Sequence, residues 1–183
     1  LHTIGEPTLH PRIAEMVKMA TDRQRVVTIS TNGTLLGRES LARALVSAGP
    51  DLLNFSADAA DAETLAKTRD GLRPEVILES LRTVRRLRDE IGPVRESPWG
   101  VVRMPTLTMT CVVTPHFTRD VERQFFQAYA PYVDDFLFHY ANNHADYVPD
   151  EPMYKQHLLP KAVRDRVFKA LRHTCNYPWD AAP

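Results

Sequence analysis

The chain has 183 residues, of which 43% are hydrophobic and 25% charged, as expected for one soluble globular domain. Basic and acidic residues balance at 23 each, which argues against nucleic acid or an anionic membrane as partner. No apolar run approaches the ~20 residues that span a bilayer, and no signal-peptide pattern opens the chain, so we expect a cytoplasmic protein. The first residue is Leu1 rather than Met, which suggests a chain cut from a longer one.

Helix and strand patterns alternate along the first half of the chain. Apolar residues at helical spacing follow Pro11, at Ile13, Met16, Val17 and Ala20. The patterns then predict a strand at Val26–Ser30, a helix through Leu41, Ala44, Leu45 and Ala48, a strand at Leu52–Phe55, and a long helix from Pro74 to Gly92.

The second half continues the alternation after an aperiodic stretch, Val94–Pro105, which we predict to be a loop. The later elements are a strand at Thr106–Val113, a helix around Val121, Phe125 and Tyr129, a strand at Phe136–Tyr140, and a helix at Lys161–His173. Strands separated by helices imply parallel pairing, and a complete eight-fold barrel needs ~250 residues. The sequence therefore predicts an α/β fold, a partial barrel with parallel strands.

Polar clusters stand at three predicted strand ends: Gly5-Glu6-Pro7, Thr31-Asn32-Gly33 and Ser56-Ala57-Asp58. Ligands gather at the carboxyl ends of parallel strands. Glu6 is suited to an ammonium group, Ser56 and Asp58 to a sugar diol, and the fork of Arg69 to a carboxylate. Together these groups predict a pocket for an amino acid joined to a nucleoside.

Three segments carry a family resemblance in order and spacing: TIGEPTLHP (Thr3–Pro11), VTISTNGTL (Val27–Leu35) and NFSADAADAETLAKTRDG (Asn54–Gly71). They resemble successive blocks of the radical S-adenosylmethionine (radical SAM) enzymes, from about Thr3 to Asn142. Cys175-Asn176-Tyr177-Pro178-Trp179 resembles the opening of the cysteine-rich SPASM/twitch-type extension of one branch.

The resemblance implies a partial (βα)6 TIM-like barrel, here truncated at its N-terminal βα unit. It also implies S-adenosylmethionine, a [4Fe–4S] cluster whose ligands lie outside this chain, and a 5′-deoxyadenosyl radical that abstracts hydrogen from a peptide or small polar substrate. An electron donor such as flavodoxin or ferredoxin would reduce the cluster.

The resemblance assigns cofactor contacts residue by residue. The motif that contacts the methionine amino group matches Gly5, Glu6 and Pro7. The positions near the ribose match Ser56 and Asp58, and the position near the carboxylate matches Arg69. Asn32 faces the same pocket, Val112 or Val113 matches the strand against adenine, and Cys175 would ligate an auxiliary [4Fe–4S] cluster. The resemblance gives residues 1–142 as barrel, 143–174 as linker and helix, and 175–183 as the start of the extension.

Two departures stand out. Ile4 precedes Gly5 where the family commonly has a second glycine, and the CxxxCxxC cluster motif is absent. Two distant cysteines, Cys111 and Cys175, cannot replace it. The chain is therefore expected to be inactive alone, as a fragment of an enzyme or a degenerate relative. The rival hypothesis is a cluster-less binding or scaffold protein. A second rival, a barrel enzyme with a phosphate-bearing substrate, lacks support because the sequence contains no glycine-rich phosphate loop of the usual pattern.

Simpler structural explanations exist for most of these residues. Glu6 could sit in a turn before Pro7, Thr31–Gly33 could be a plain turn, Asp58 could cap a helix, and Arg69 could be solvated. Cys111 is predicted to be a buried hydrophobe, and Phe136, Phe138 and Tyr140 core rather than a stacking platform. The spacing of His139, His144, Asp146 and His157 matches no familiar metal site.

Overall fold

The computed structural model describes residues 5–97 and 100–140. The predicted helix at Lys161–His173, and the residues assigned above to the linker and extension, lie outside this range. The helices and strands are a 3₁₀ helix (Pro7–Leu9), α1 (Ile13–Thr21), β1 (Thr28–Thr31), α2 (Glu39–Ala48), β2 (Leu52–Ser56), α3 (Ala62–Thr68), α4 (Pro74–Ile91), β3 (Val94–Ser97), β4 (Gly100–Arg103), β5 (Thr106–Val113), α5 (Arg119–Tyr129) and β6 (Asp135–Tyr140).

Four strands form one parallel sheet in the order β1-β2-β5-β6. The register places Ser30, Asn54 and Thr108 side by side, and the next level holds Thr31, Phe55, Met109 and Phe136. Successive side chains of a strand point to opposite faces, so each level belongs wholly to one face. The predicted α/β fold with parallel strands is confirmed.

One face of the sheet is apolar and carries the core. Ile29, Leu53, Phe55, Leu107 and Met109 are fully buried there, in one cluster with apolar residues of α1, α2, α4 and α5. Complete burial of such a side chain contributes about 1.5–3 kcal/mol. At the β6 edge the rings of Phe136 and Phe138 lie 5.7 and 6.1 Å from the ring of Phe125, so these residues pack with the core, as predicted.

The stretch Val94–Pro105 is not the predicted loop. Its two strands, β3 and β4, pair antiparallel with each other and join no strand of the main sheet. Val94 and Val102 are 51% and 38% exposed. The amino-acid sequence of the segment has no alternating hydrophobic period, so it does not predict strands.

Smaller differences have local causes. The first strand begins at Thr28, and Val26 is 83% exposed before it. Met16 is 41% exposed although its spacing placed it on the inner face of α1. Helix α3 was not predicted; Asp61 begins it by accepting a hydrogen bond from the Thr64 amide at 2.8 Å. No helix within the described residues is long and apolar enough to cross a membrane.

A buried arginine ties α4 to the beginning of β5. The Arg88 side chain is 7% exposed and pairs with Asp134, which lies just before β6. Asp134 also accepts from the Leu107 amide at 2.8 Å and from Arg85 at 3.1 Å. The carboxylate therefore neutralises a buried cation and also fixes the beginning of β5.

The turn after β1 requires glycine for two reasons. Gly33 has φ +75°, in the left-handed region that side-chain-bearing residues rarely adopt. A Cβ there would lie 2.9 Å from Cδ1 of Phe55, which is fully buried. The polar cluster after β1 therefore sits directly over the core.

We expect Asp134→Ala to lower the free energy of unfolding by about 2–4 kcal/mol. The Leu107 amide loses its acceptor, and the buried Arg88 cation keeps only the more exposed Asp89, at 3.3 Å, as a carboxylate partner among the described residues. Glu90→Ala is the matched control, since its pairs with Arg86 and Arg43 are half-exposed and should be worth less than ~1 kcal/mol. Urea denaturation measures both losses. Equal losses would contradict the role assigned to the buried pair.

Gly33→Ala should destabilise the protein more than Gly71→Ala. Gly71 has nearly the same φ, +77°, but nothing lies within 4 Å of a Cβ added there. The Gly71 variant reports the conformational cost alone, about 1–2 kcal/mol, and the Gly33 variant adds an overpacking cost of about 1–3 kcal/mol against Phe55. Denaturant unfolding of both variants measures the difference in the free energy of unfolding. Identical losses in the two variants would show that the Phe55 ring moves aside at no cost.

Candidate functional site

A cleft of about 620 Å³ covers the polar face of the main sheet. Five predicted site residues contribute to its lining: Gly5, Glu6, Asn32, Ser56 and Arg69. They come from four separate segments that the parallel topology brings to the carboxyl edge of the sheet. The volume is in the range of small-molecule sites.

Glu6 connects the first polar cluster to the second. Its Oε1 accepts from the Thr8 amide at 2.9 Å, from the Thr8 hydroxyl at 2.5 Å and from the Thr31 hydroxyl at 2.7 Å. Its Oε2 accepts from the Asn32 amide at 2.6 Å. The carboxylate thus caps the 3₁₀ helix, as the turn explanation expected, and also ties it to the end of β1. Oε2, with one donor among the described residues, keeps acceptor capacity toward the cleft.

Asn32 has a structural task as well as a place in the lining. Its Oδ1 accepts from the Thr34 amide at 3.0 Å and from the Thr34 hydroxyl at 2.7 Å. This side-chain turn is the plain-turn arrangement considered for Thr31–Gly33. A turn role and a cleft position therefore coexist in one residue.

Arg69 and Asp58 form a two-point ion pair. The Nε and Nη2 atoms of Arg69 donate to Asp58 at 2.8 and 3.2 Å. The arginine side chain is 26% exposed and lines the cleft, whereas the aspartate side chain is 5% exposed. Arg69 is held in place because α3 ends at Thr68, and its amide donates to the Leu65 carbonyl at 2.8 Å. Neither a solvated Arg69 nor a helix-capping Asp58 matches this arrangement.

Asp58 itself does not line the cleft. Besides the two bonds from Arg69, its Oδ1 accepts from the Val112 amide of β5 at 2.9 Å. Asp58, Val112 and Pro7 are the predicted cofactor-binding residues that do not contribute to the cleft lining. The structure therefore separates Ser56, at the cleft, from Asp58, behind it.

The floor of the cleft was missed by sequence reasoning. The side-chain carboxamide of Asn54 links three strands. Its Nδ2 donates to the Ser30 hydroxyl at 2.9 Å, and its Oδ1 accepts from the hydroxyls of Thr108 and Thr110 at 2.8 and 2.7 Å. The signal was present in the sequence, because threonine alternates with apolar residues along β5. That alternation predicts a strand but also marks a polar inner face.

β6 supplies the far wall of the cleft with Leu137 and His139. The register pairs Leu137 with Thr110 and His139 with Val112. His139 had no predicted site role, because its spacing to His144, Asp146 and His157 matches no familiar metal site. Those last three residues lie outside the described residues. Within the described residues no group of three or more His, Cys, Asp or Glu side chains could hold a metal ion.

The cysteines offer no cluster site in the described part of the chain. Cys111 is fully buried on the apolar face, and its Sγ lies 3.8 Å from the Asp58 carbonyl oxygen. Burial raises the pKa of the Cys111 thiol well above its usual range, with the nearby Asp58 carboxylate adding to the rise. A protonated, enclosed thiol is not an iron ligand, and it behaves as the predicted small hydrophobe. Cys175 lies outside the described residues.

Comparison with solved structures supports the fold. The crystal structure of Streptococcus suis SuiB bound to S-adenosylmethionine superimposes with a TM-score of 0.57 at 14% sequence identity. The match covers 92% of this chain and 34% of that one. At this identity the likeness concerns architecture alone, and it agrees with the predicted partial TIM-like barrel.

Two curated relatives resemble the chain in sequence. A tungsten-containing aldehyde ferredoxin oxidoreductase cofactor-modifying protein from Pyrococcus furiosus is 37% identical over 94 residues, 51% of this chain and 26% of the relative. A GTP 3′,8-cyclase from Chlorobaculum tepidum is 49% identical over 63 residues, 33% of this chain and 18% of the relative. The matched part thus spans about a quarter or less of either relative.

A model of the radical SAM superfamily matches residues 1–93, half of the chain. The matched range includes the Gly5–Pro7 cluster, the end of β1, and the Asp58–Arg69 pair. Members of this family use S-adenosylmethionine and a 4Fe–4S cluster. The chain belongs to the radical SAM superfamily.

Proposed function

We propose that the cleft binds S-adenosylmethionine and that the complete protein is a radical SAM enzyme acting on a peptide or a small polar molecule. The observation that carries the proposal is the presence of both a carboxylate, Glu6, and a guanidinium, Arg69, on one cleft between carboxyl ends of parallel strands. A zwitterionic amino acid joined to a nucleoside matches this combination of charges.

Each part of the cofactor has a candidate partner. Oε2 of Glu6, with the backbone around Gly5 and Pro7, would accept from the ammonium group. Arg69 would hold the carboxylate, because its Nη1 donates to no atom of the described residues. Ser56 would contact the ribose. The end of β5, near Val112 and Val113, would contact the adenine. Asn32 would fix the backbone between these parts.

The iron–sulfur cluster requires ligands other than the described residues. When bound, S-adenosylmethionine and a reduced 4Fe–4S cluster supply a 5′-deoxyadenosyl radical. We propose that this cluster's ligands lie outside the chain, that an electron donor such as flavodoxin or ferredoxin reduces it, and that the protein works in the cytoplasm. An auxiliary cluster at Cys175 and the three-part division at residues 142 and 174 remain part of the proposal.

Arg69→Met should weaken S-adenosylmethionine binding roughly tenfold or more, since a charged hydrogen bond is worth about 1.5–3 kcal/mol. The control is Arg73→Met, because Arg73 is nearby in sequence but 71% exposed on its side chain. Isothermal titration calorimetry with the 183-residue chain measures both affinities. Equal affinity of the Arg69 variant and the wild type would show that Arg69 does not contact S-adenosylmethionine. Failure of the wild-type chain to bind S-adenosylmethionine would contradict the proposed cofactor site.

In the complete protein, anaerobic reconstitution with iron and sulfide should produce a cluster that dithionite reduces. Electron paramagnetic resonance should detect the reduced cluster, and its signal should change shape when S-adenosylmethionine is added. A protein that binds S-adenosylmethionine but shows no reducible cluster would instead be a cluster-less binding or scaffold protein. That result would overturn the enzymatic part of the proposal.

A further inference from the structure

We infer that Asp58 is a positioning residue that holds the Arg69 guanidinium toward the cleft, and that it does not contact the nucleoside. The inference rests on the proposed function and changes the role that the family resemblance gives to this residue. It concerns one interaction, the contact between the protein and the carboxylate of the bound amino-acid moiety.

The Asp58 carboxylate accepts three hydrogen bonds from within the protein and is almost fully enclosed. Oδ2 accepts from Arg69 Nε at 2.8 Å, and Oδ1 accepts from Arg69 Nη2 at 3.2 Å and from the Val112 amide at 2.9 Å. The side chain is 5% exposed and does not line the cleft. Because this carboxylate is enclosed and stands outside the cleft lining, a ribose hydroxyl in the cleft would reach it only if the residues that enclose it moved apart.

The ion pair leaves one edge of the guanidinium available. Nε and Nη2 donate to Asp58, and Nη1 donates to none of the residues that the structure describes, so Nη1 can donate to a ligand. A long arginine side chain loses conformational entropy when it is fixed in one position. Because the two hydrogen bonds to Asp58 already fix Arg69, ligand binding does not have to supply that free energy. Asp58 therefore prepares the carboxylate contact without taking part in it.

The same aspartate connects that contact to β5. By accepting from the Val112 amide, Asp58 fixes the end of β5 relative to the C-terminal end of α3, where Arg69 stands. Asp58→Asn is the appropriate variant, because an asparagine Oδ1 can still accept from the Val112 amide. The substitution removes the negative charge of residue 58 and its two-point pairing with Arg69, and it keeps the size and shape of the side chain.

The test compares two ligands by calorimetry: S-adenosylmethionine and its decarboxylated analogue, which keeps the nucleoside. In Asp58→Asn, affinity for S-adenosylmethionine should fall roughly tenfold, the loss of about one charged hydrogen bond, and affinity for the analogue should stay within about twofold of wild type. In an Arg69→Met background, Asp58→Asn should have no further effect. Glu63→Gln, which breaks an exposed pair with Lys67 on α3, is the matched control.

Different outcomes separate the inference from the proposed function. Equal weakening of both ligands by Asp58→Asn, or persistent weakening in the Arg69→Met background, would indicate direct nucleoside binding and overturn the positioning role. A gain of affinity would overturn it too, because Asp58 would then compete with the ligand for Arg69. Failure of the wild-type chain to bind either ligand would contradict the proposed function instead.

A ligand-free measurement tests the positioning role in every case. Nitrogen-15 relaxation of the Arg69 Nε–H should give an order parameter near that of a rigid group, about 0.85, in the wild type and below about 0.6 in Asp58→Asn. An order parameter unchanged by the substitution would show that Asp58 does not position the guanidinium.

Discussion

The register between β1, β2, β5 and β6 is the constraint from which the rest of the molecule follows. Because alternate residues point to opposite faces, the pairing of Phe55, Met109 and Phe136 puts these apolar side chains into the core with the helices. The intervening level then places Ser30 and Asn54 on the cleft floor, with the buried Thr108 beside Asn54. A slip of one residue in any strand would bring core side chains into the cleft and polar groups into the core.

Hydrogen bonds across the polar face reinforce this register. Asn54 joins β1 to β5 through three side chains, and each bond requires its neighbours to stand at the observed level. At the carboxyl edge, Glu6 ties a segment outside the sheet to the end of β1. The cleft is thus built from buried and partly buried polar groups that bond to one another, and these bonds constrain its geometry.

Much of the fold could be read from the sequence because the signals were local. Pro74 opens α4 and the alternating β5 begins and ends as predicted. The hairpin β3–β4 was not predicted because its sequence has no hydrophobic period. Helix α3 was not predicted because it is short and its capping residue, Asp61, lies inside a segment interpreted as a binding motif. The strands of the main sheet were therefore easier to predict than the structure of the connections.

The candidate site was predictable in its members but not in their pairings. Sequence order brought Glu6, Ser56 and Arg69 to one edge, since parallel strands end together. It could not show that Asp58 is bound by Arg69 and the Val112 amide, because that geometry depends on where α3 ends over β5. The polar floor at Asn54 and Thr110 became visible only once the register of neighbouring strands was known.

β5 is held in a similar way at its two ends. Near its beginning, Asp134 accepts from the Leu107 amide and pairs with Arg88; near its end, Asp58 accepts from the Val112 amide and pairs with Arg69. The two amides stand roughly 17 Å apart at the rise of an extended strand. Changes at sites this distant are close to additive in free energy. A substitution at the Asp58 end should therefore change the free energy of unfolding by an amount that does not depend on whether the Asp134 end is intact.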